Sequence, residues 1–546
     1  MSHPQHRRRP ASRTRRRALA GGIATAAVLA GAGLFGVGQP WANAAANVSF
    51  DTGTGLAFTV NGTNGNVTSL KHNGTELAAS GQAAGQFQSG WSSATVTSQT
   101  FNSGNSILVS AANPGIGVTM YYFARKNDNT LYIATDITKA LNPGEARFIS
   151  RLKSSLLTTS PTAAKTGGTT ATVEGSDVFS FTDGRTASKF YSSQRLIAQQ
   201  PFGASGNGHG AYVIPAYTDM TSGGPFFRDI EVNDTGSAVN ITHYMFSGHQ
   251  QTEPLRLGLH GPYALALTDG PAPAARSMDF LAAFLPGMLS NAQRGGVSGT
   301  AGGTWNGLRA TVGLAGPNGQ YWGQVKAGQF VIGHVKPGTY TATLYAGELA
   351  VGATKTITVT AGATTQLALT GSVPTAGTLF QLGTFDGTPA GFRNADRIET
   401  MHPSDSRMSS WTGTHNVSAG AATFPMAEFK AVNSPIALTF TLSAVPTNGA
   451  RLRVATTSSF AGGRPAVTIG NWTSPTSASP APTNLNSRNI TRGTWRGLNT
   501  TSTFTIPASA LKAGTNTLSL SVLSGSSGTT FLSPNFIFDA LALDPA

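Results

Sequence analysis

Apolar and polar residues along this chain alternate in short runs, and turn residues punctuate the runs at close intervals. From Asn47 to about Asn291, segments such as Leu131 to Asp136 and Arg147 to Lys153 read as alternating strands, separated by turns of the Asn61-Gly62 and Asn64-Gly65 kind. This predicts a large β-sandwich. A second unit from about Gly295 to Leu369 contains Val335-Lys336-Pro337-Gly338 followed by the strand-like Thr339 to Tyr345, a Pro-Gly turn feeding an alternating strand. It predicts a small sandwich of immunoglobulin or fibronectin type III kind. Thr370 to Pro374 reads as a linker. In the third unit Leu438 to Leu442 and Leu518 to Val522 alternate with period two, so each strand has one apolar and one polar face, as in a jelly-roll. Thr473 to Thr483, rich in Ser and Pro, reads as a surface loop. The expected class is all-β, divided as 1–46, 47–292, 293–373 and 374–546, with no internal repeat.

The first 46 residues stand apart. Arg7, Arg8, Arg9, Arg13 and Arg15-Arg16-Arg17 precede a small, apolar stretch from Ala20 to Gly38, which ends at Ala42-Asn43-Ala44 and Ala45-Ala46. The pattern is that of a twin-arginine signal peptide. Six glycines interrupt the stretch, which argues against a membrane anchor. The expectation is a secreted, extracellular protein without a membrane partner, and a monomer. The chain has no cysteine, hence no disulfide framework, which suits export in a folded state.

Composition changes the picture in one respect. The formal net charge is +14, but seven of the 37 cations belong to the leader, so the remainder carries 30 cations against 23 acids. A surplus of that size attracts a polyanion. The cations are scattered with no basic run, which disfavours nucleic acid and leaves an acidic polysaccharide as the better partner.

Two segments concentrate reactive side chains: Ser188-Lys189-Phe190-Tyr191-Ser192-Ser193 and Thr242-His243-Tyr244-Met245-Phe246-Ser247-Gly248-His249. In a regular strand Arg147, Arg151 and Lys153 share one face and form a cationic row. Arginine can hold a carboxylate bidentately. Lysine serves as a base only where burial or neighbouring cations lower its pKa. Read alone, Lys189 is a solvated charge. Tyr191 and Arg195 fall on its face by period two. Tyr244 lies on the polar face of its strand, and Ser247-Gly248 can break that strand and re-aim His249, a residue able to donate or accept a proton near neutral pH. His243 points to the opposite face and His260 sits in a Gly-rich turn, so neither is a candidate.

Longer motifs then identify a resemblance. Ser188 to Arg195, Gly223-Gly224-Pro225-Phe226-Phe227-Arg228-Asp229-Ile230, Ser247-Gly248-His249 with Gln251-Thr252-Glu253, and Gly258-Leu259-His260-Gly261-Pro262-Tyr263 resemble the fungal-type rhamnogalacturonan lyases of polysaccharide lyase family 4. So do Gly391-Phe392-Arg393-Asn394-Ala395 and His402-Pro403-Ser404-Asp405-Ser406-Arg407-Met408 in the third unit. The resemblance spans nearly all of the chain after the leader. It implies a catalytic β-sandwich, a fibronectin-like domain and a carbohydrate-binding-like jelly roll. It also implies cleavage of rhamnogalacturonan I, the pectin backbone of alternating rhamnose and galacturonate, by β-elimination.

By that resemblance Lys189 is the base, His249 the acid, and Arg147, with Arg151, the group that neutralises the uronate carboxylate. Tyr191, Tyr244 and Glu253 are expected to contact substrate, Glu253 alternatively to orient His249. One departure stands out: the family pattern calls for a tyrosine where this chain has Thr242. No cofactor or catalytic metal is required, since arginine can take the place of calcium. A structural calcium in the third domain has Asp539 and Asp405 as candidates. His402 to Trp411, with Trp495, can be read either as a sugar-binding surface or as a buried polar network. The alternatives to a lyase are a pectin-directed glycoside hydrolase, which needs a pair of carboxylates that the acids near the motifs do not obviously form, and a non-catalytic pectin-binding protein.

Overall fold

The structure is a computed structural model describing residues 40–43, 46–141, 145–160, 164–189, 194–249, 251, 253–398, 400–475, 490 and 498–546. Residues 1–39, Tyr191, most of the Ser- and Pro-rich segment 473–483 and Trp495 lie outside them. Among the described residues the fold is all-β, as the alternation predicts, and helical structure is confined to 3₁₀ turns of three to five residues.

An eight-stranded sheet dominates the first part of the chain. Its order runs from Ala42–Asn43 through Thr95–Phe101, Ser106–Asn113, Val118–Arg125, Thr130–Ile137, Gly258–Thr268 and His209–Pro215 to Phe202–Gly206. A five-stranded sheet faces it, with Ala146–Lys153 and Ala238–Phe246 at its centre. Val109, Tyr122, Ile133 and Leu265 from the first sheet meet Phe148, Leu152, Ile241 and Met245 from the second in one core.

Leu131 to Asp136 departs from the expected alternation, because residues 130–135 are all buried. The outer face of the eight-stranded sheet is covered too: Leu108, Phe123, Tyr132 and Ala264 pack against Met278, Leu281 and Leu285 from a return segment. A strand buried on both faces reads as a continuous apolar run. His260 differs as well. It lies inside the strand Gly258–Thr268 and not in a turn, fully buried, with Nε2 facing the Arg256 carbonyl at 2.9 Å.

Two smaller sandwiches follow. A three-stranded sheet (Gln329–Val335, Gly295–Gly302, Thr364–Thr370) packs on a four-stranded one around Val312, Phe330, Tyr340 and Leu344. The last pairs two five-stranded sheets around Leu438, Leu452, Phe504, Leu518 and Phe538. Its strands Ile436–Leu442 and Gly514–Leu523 alternate between buried and more exposed positions, as the sequence pattern predicts.

Buried charge ties the first two sandwiches together. Asp219 accepts from Arg294 at 2.8 Å and from the Tyr321 hydroxyl at 3.1 Å, with the Lys336 ammonium at 3.3 Å. Burial alone would raise its pKa, but Lys336 and Arg294 outweigh that and hold it below the ordinary carboxylate value. Removing the carboxylate strands two cations in a dry interface, so Asp219→Ala should cost about 3–5 kcal/mol in a calorimetric or denaturant measurement. Because the folded pKa is depressed, this stabilisation is present above the unfolded value, about pH 4, and is lost as pH falls through the folded one. A loss under about 1 kcal/mol would show that the cluster behaves as a surface ion pair.

Candidate active site

The open face of the five-stranded sheet carries the candidate residues, and a register slip arranges them. Along Ala146–Lys153 and Ala238–Phe246, Ala146 pairs with Phe246 but Arg147 pairs with Tyr244, leaving Met245 without a partner. A bulge re-aims side chains out of the regular alternation. Here Arg147 Nη1 donates to Tyr244 Oη at 2.7 Å, and its guanidinium lies 5.6 Å from the tyrosine ring centroid. Burial, reinforced by Asp229 and opposed by Arg147, keeps the Tyr244 hydroxyl protonated well above its usual range.

Arg151 lies on the same strand face as Arg147 and has no ion-pair partner among the described residues. Burial and the neighbouring Arg147 charge lower its pKa. Two guanidinium groups thus share one strand face, with the Glu145 carboxylate 3.7 Å from Arg147 Nε and the Asp229 charge also acting on Arg147. Lys153 is occupied elsewhere, its Nζ donating to the Glu76 carbonyl at 2.8 Å.

Lys189 directly follows the strand Thr186–Ser188, the edge of a three-stranded sheet. Its backbone N–H donates to the Asp177 carbonyl at 3.0 Å and its Nζ to the Ser176 carbonyl at 2.8 Å, with the Phe179 ring centroid 5.4 Å away. The lysine pKa is lowered by burial first, then by Arg147, against an opposing pull from Asp177. The period-two relation to Arg195 fails, since the strand ends at Ser188. Arg195 precedes a 3₁₀ turn and pairs with Glu348 of the middle sandwich.

His249 reaches the same region from past the end of its strand. Phe246 is the last strand residue and Gly248 takes φ +69°, a left-handed conformation that glycine adopts without strain. The ring meets Tyr244 edge-on, with centroids 5.8 Å apart. Nδ1 lies 3.1 Å from both oxygens of Asp229, which is itself held by the Ile230 N–H, and Nε2 lies 3.6 Å from Glu145. Asp229 therefore fixes the ring orientation and leaves Nε2 as the atom turned toward Glu145 and the arginines. Asp229 and Glu145 escaped the sequence reading. Asp229 sits inside the Gly223 to Ile230 motif, which is the one signal that could have raised it.

Glu253 does not orient His249. Its carboxylate pairs with Arg256 and accepts from the Gly223 N–H, beside a cavity of about 240 Å³ between the first and middle sandwiches. Thr242, where a tyrosine was expected, is buried and borders a cavity of about 30 Å³ closed by Gln194, Leu196 and Glu231, room for about one water. His243 is also buried, stacked on Tyr263 with ring centroids 4.1 Å apart, and burial pushes its pKa down to about 3.

In the third sandwich the His402 to Trp411 segment buries His402, Asp405 and Trp411 and exposes Ser404, Ser406, Arg407, Ser409 and Ser410. Trp411 packs on Phe429 and Phe531 and donates from Nε1 to the Pro403 carbonyl. Asp405 is saturated by Arg407 and Thr186, and Asp539 accepts the Asp386 and Gly387 N–H groups. Among the described residues no group of three or more His, Cys, Asp or Glu side chains is arranged to hold an ion.

Comparison with known proteins covers most of the described chain. Residues 40–285 match the family model described as "Rhamnogalacturonan lyase B, N-terminal", residues 293–367 "Polysaccharide lyase family 4, domain II", and residues 378–543 "Polysaccharide lyase family 4, domain III". "Rhamnogalacturonate lyase A" of Aspergillus aculeatus is 44% identical over 499 residues, covering 89% of this chain and 92% of that one. The protein of the same name from Emericella nidulans is 43% identical over 495 residues, with the same coverage.

The electrostatics of Lys189 can be checked without substrate. Asp177→Asn removes the charge that raises its pKa and should move the Lys189 titration further down, whereas Arg147→Gln should move it back up, as followed by NMR of isotopically labelled lysine. Shifts of the opposite sign, or none, would show that Lys189 is not coupled to these groups.

Proposed function

Because this chain belongs to polysaccharide lyase family 4 and is a rhamnogalacturonan lyase, we propose that it cleaves the bond from rhamnose to O4 of galacturonate in rhamnogalacturonan I by β-elimination. We propose further that it does so as a secreted endolyase. The observation that carries the reading is that Arg151 and Lys189 both feel the Arg147 charge, while Glu145 lies beside both Arg147 and His249.

The chemistry sets three requirements. The galacturonate C5–H is only weakly acidic beside an anionic carboxylate, so that charge must be neutralised, the proton taken, and the departing O4 protonated. Arg147 and Arg151 suit the first task, since an anion placed between them relieves their mutual repulsion. Lys189 suits the second, because the burial and the Arg147 charge that lower its pKa make a neutral amine more accessible near neutral pH. His249 suits the third, with Asp229 holding Nδ1 and Nε2, on the Glu145 side of the ring, giving the proton. As Lys189 takes the C5 proton, the electron pair forms the C4=C5 double bond, the C4–O4 bond breaks, and His249 Nε2 protonates O4 on the rhamnose-bearing fragment. The new non-reducing end is an unsaturated uronate.

Arginine supplies the positive charge in this scheme, so it calls for no metal ion. A hydrolase would need two carboxylates free to act across the bond, and here both oxygens of Asp229 face His249. The net positive charge of the chain after its leader favours encounter with a polyanionic pectin. The leader, by its pattern, accounts for secretion.

Incubation with rhamnogalacturonan I should yield ultraviolet-absorbing unsaturated ends, and turnover should persist after chelation of divalent ions. Lys189→Ala should reduce turnover by about 10²–10⁴-fold while leaving oligosaccharide binding in place. New reducing ends without absorbance, or near-normal turnover of a folded Lys189→Ala variant, would overturn the assignment.

A further inference from the structure

The strand that delivers Lys189 is an edge strand, and its free edge is closed by a loop more than two hundred residues away in sequence. Among the described residues Thr186–Ser188 has one strand partner, Val178–Ser180. On the other side Asp405 of the third sandwich accepts both the Thr186 N–H and the Thr186 hydroxyl at 2.7 Å. The His402 N–H donates to that hydroxyl at 3.0 Å, and the Ser406 N–H donates to the Gly184 carbonyl at 3.0 Å. Unpaired N–H and C=O groups on a sheet edge are otherwise satisfied by water and leave the strand free to fray.

The carboxylate that closes the edge is itself immobilised. Arg407 grips Asp405 through Nε at 2.8 Å and Nη2 at 2.9 Å, and its backbone N–H donates to the same carboxylate at 2.9 Å. Asp405 and Thr186 are both buried, so the contact between these two is shielded from water and from salt. Only Ala187 and Ser188 separate Thr186 from Lys189. The ammonium inherits its position from a strand whose outer edge belongs to another domain.

We propose that Asp405 is a positioning residue for Lys189: by completing the edge of the Thr186–Ser188 strand, the C-terminal sandwich holds the base in place for the lyase reaction. The proposal rests on the reading of Lys189 as the base. It gives the third sandwich a role in the chemical step that carbohydrate binding alone would not. Misplacing a catalytic group by about 1 Å costs on the order of 10²-fold in rate, whereas binding groups elsewhere on the sheet stay in position.

The test is a double-mutant cycle on the full chain with rhamnogalacturonan I as substrate, with kcat and KM measured separately and folding checked by thermal unfolding. Asp405→Ala should lower kcat by on the order of 10²-fold and change KM little, and it should move the Lys189 titration up toward that of a solvated lysine. In a Lys189→Ala background the same substitution should leave the residual rate nearly unchanged, because its effect passes through the lysine. If Asp405→Ala does not fold, Thr186→Val carries the same test. It removes the hydroxyl from the clamp and should lose clearly more kcat than Thr186→Ser, which keeps both contacts. Equal losses in both backgrounds, a loss confined to KM, or an unaltered kcat in the folded variant would overturn the clamp while leaving the base assigned. Near-normal turnover of Lys189→Ala would instead overturn the base itself.

Discussion

Positive charge gathered and partly buried around one sheet face is the constraint on which this molecule turns. Arg147 and Arg151 share a strand face and Lys189 lies within reach of the Arg147 field, while Glu145 and Asp229 act on Arg147, and Asp177 on Lys189, as counter-charges. Burial is the largest reason the pKa values of Arg151 and Lys189 both fall, and the Arg147 charge adds to it. A substrate carboxylate relieves that crowding. The electrostatic cost of assembling the site in the free protein is therefore recovered when an anionic sugar arrives, and the lysine is already biased toward the neutral form a base requires.

Such crowding persists only where the surrounding fold overrides it. The five-stranded sheet does so with a core of Phe148, Leu152, Ile241 and Met245 behind the charged face, and with a bulge that seats Arg147 against Tyr244. The other two sandwiches contribute at the edges. Arg195, past Lys189, pairs with Glu348, whose own N–H donates to the Asp386 carbonyl of the third sandwich. Thr186, before Lys189, is closed off by Asp405. Both flanks of the lysine are thus tied to chain segments that a first sandwich alone would lack.

The alternation in Leu438 to Leu442 and Leu518 to Val522 was legible because those strands face solvent on one side, the condition under which period two is visible. Leu131 to Asp136 misled for the opposite reason: Met278 and Leu281 cover its second face, and coverage by a distant segment leaves no local trace. The cationic row on Ala146–Lys153 was legible from spacing, but the residues that make it selective were not. Asp229 lies twenty residues from His249, Glu145 lies more than a hundred from it, and only tertiary packing brings either to the ring. Extending period two from Lys189 to Arg195 assumed a strand that stops at Ser188. Glu253, close to His249 in sequence, is drawn away by Arg256 and the middle sandwich.

The central claim is that a proton is removed from C5 of galacturonate as the bond to O4 breaks. Rhamnogalacturonan I carrying deuterium at C5 of galacturonate tests it directly when the new non-reducing ends are read by mass spectrometry. The account predicts ends that have lost the deuterium and carry no added water. Ends that keep the deuterium and gain a water molecule would contradict it, and with it the roles of Lys189 and His249.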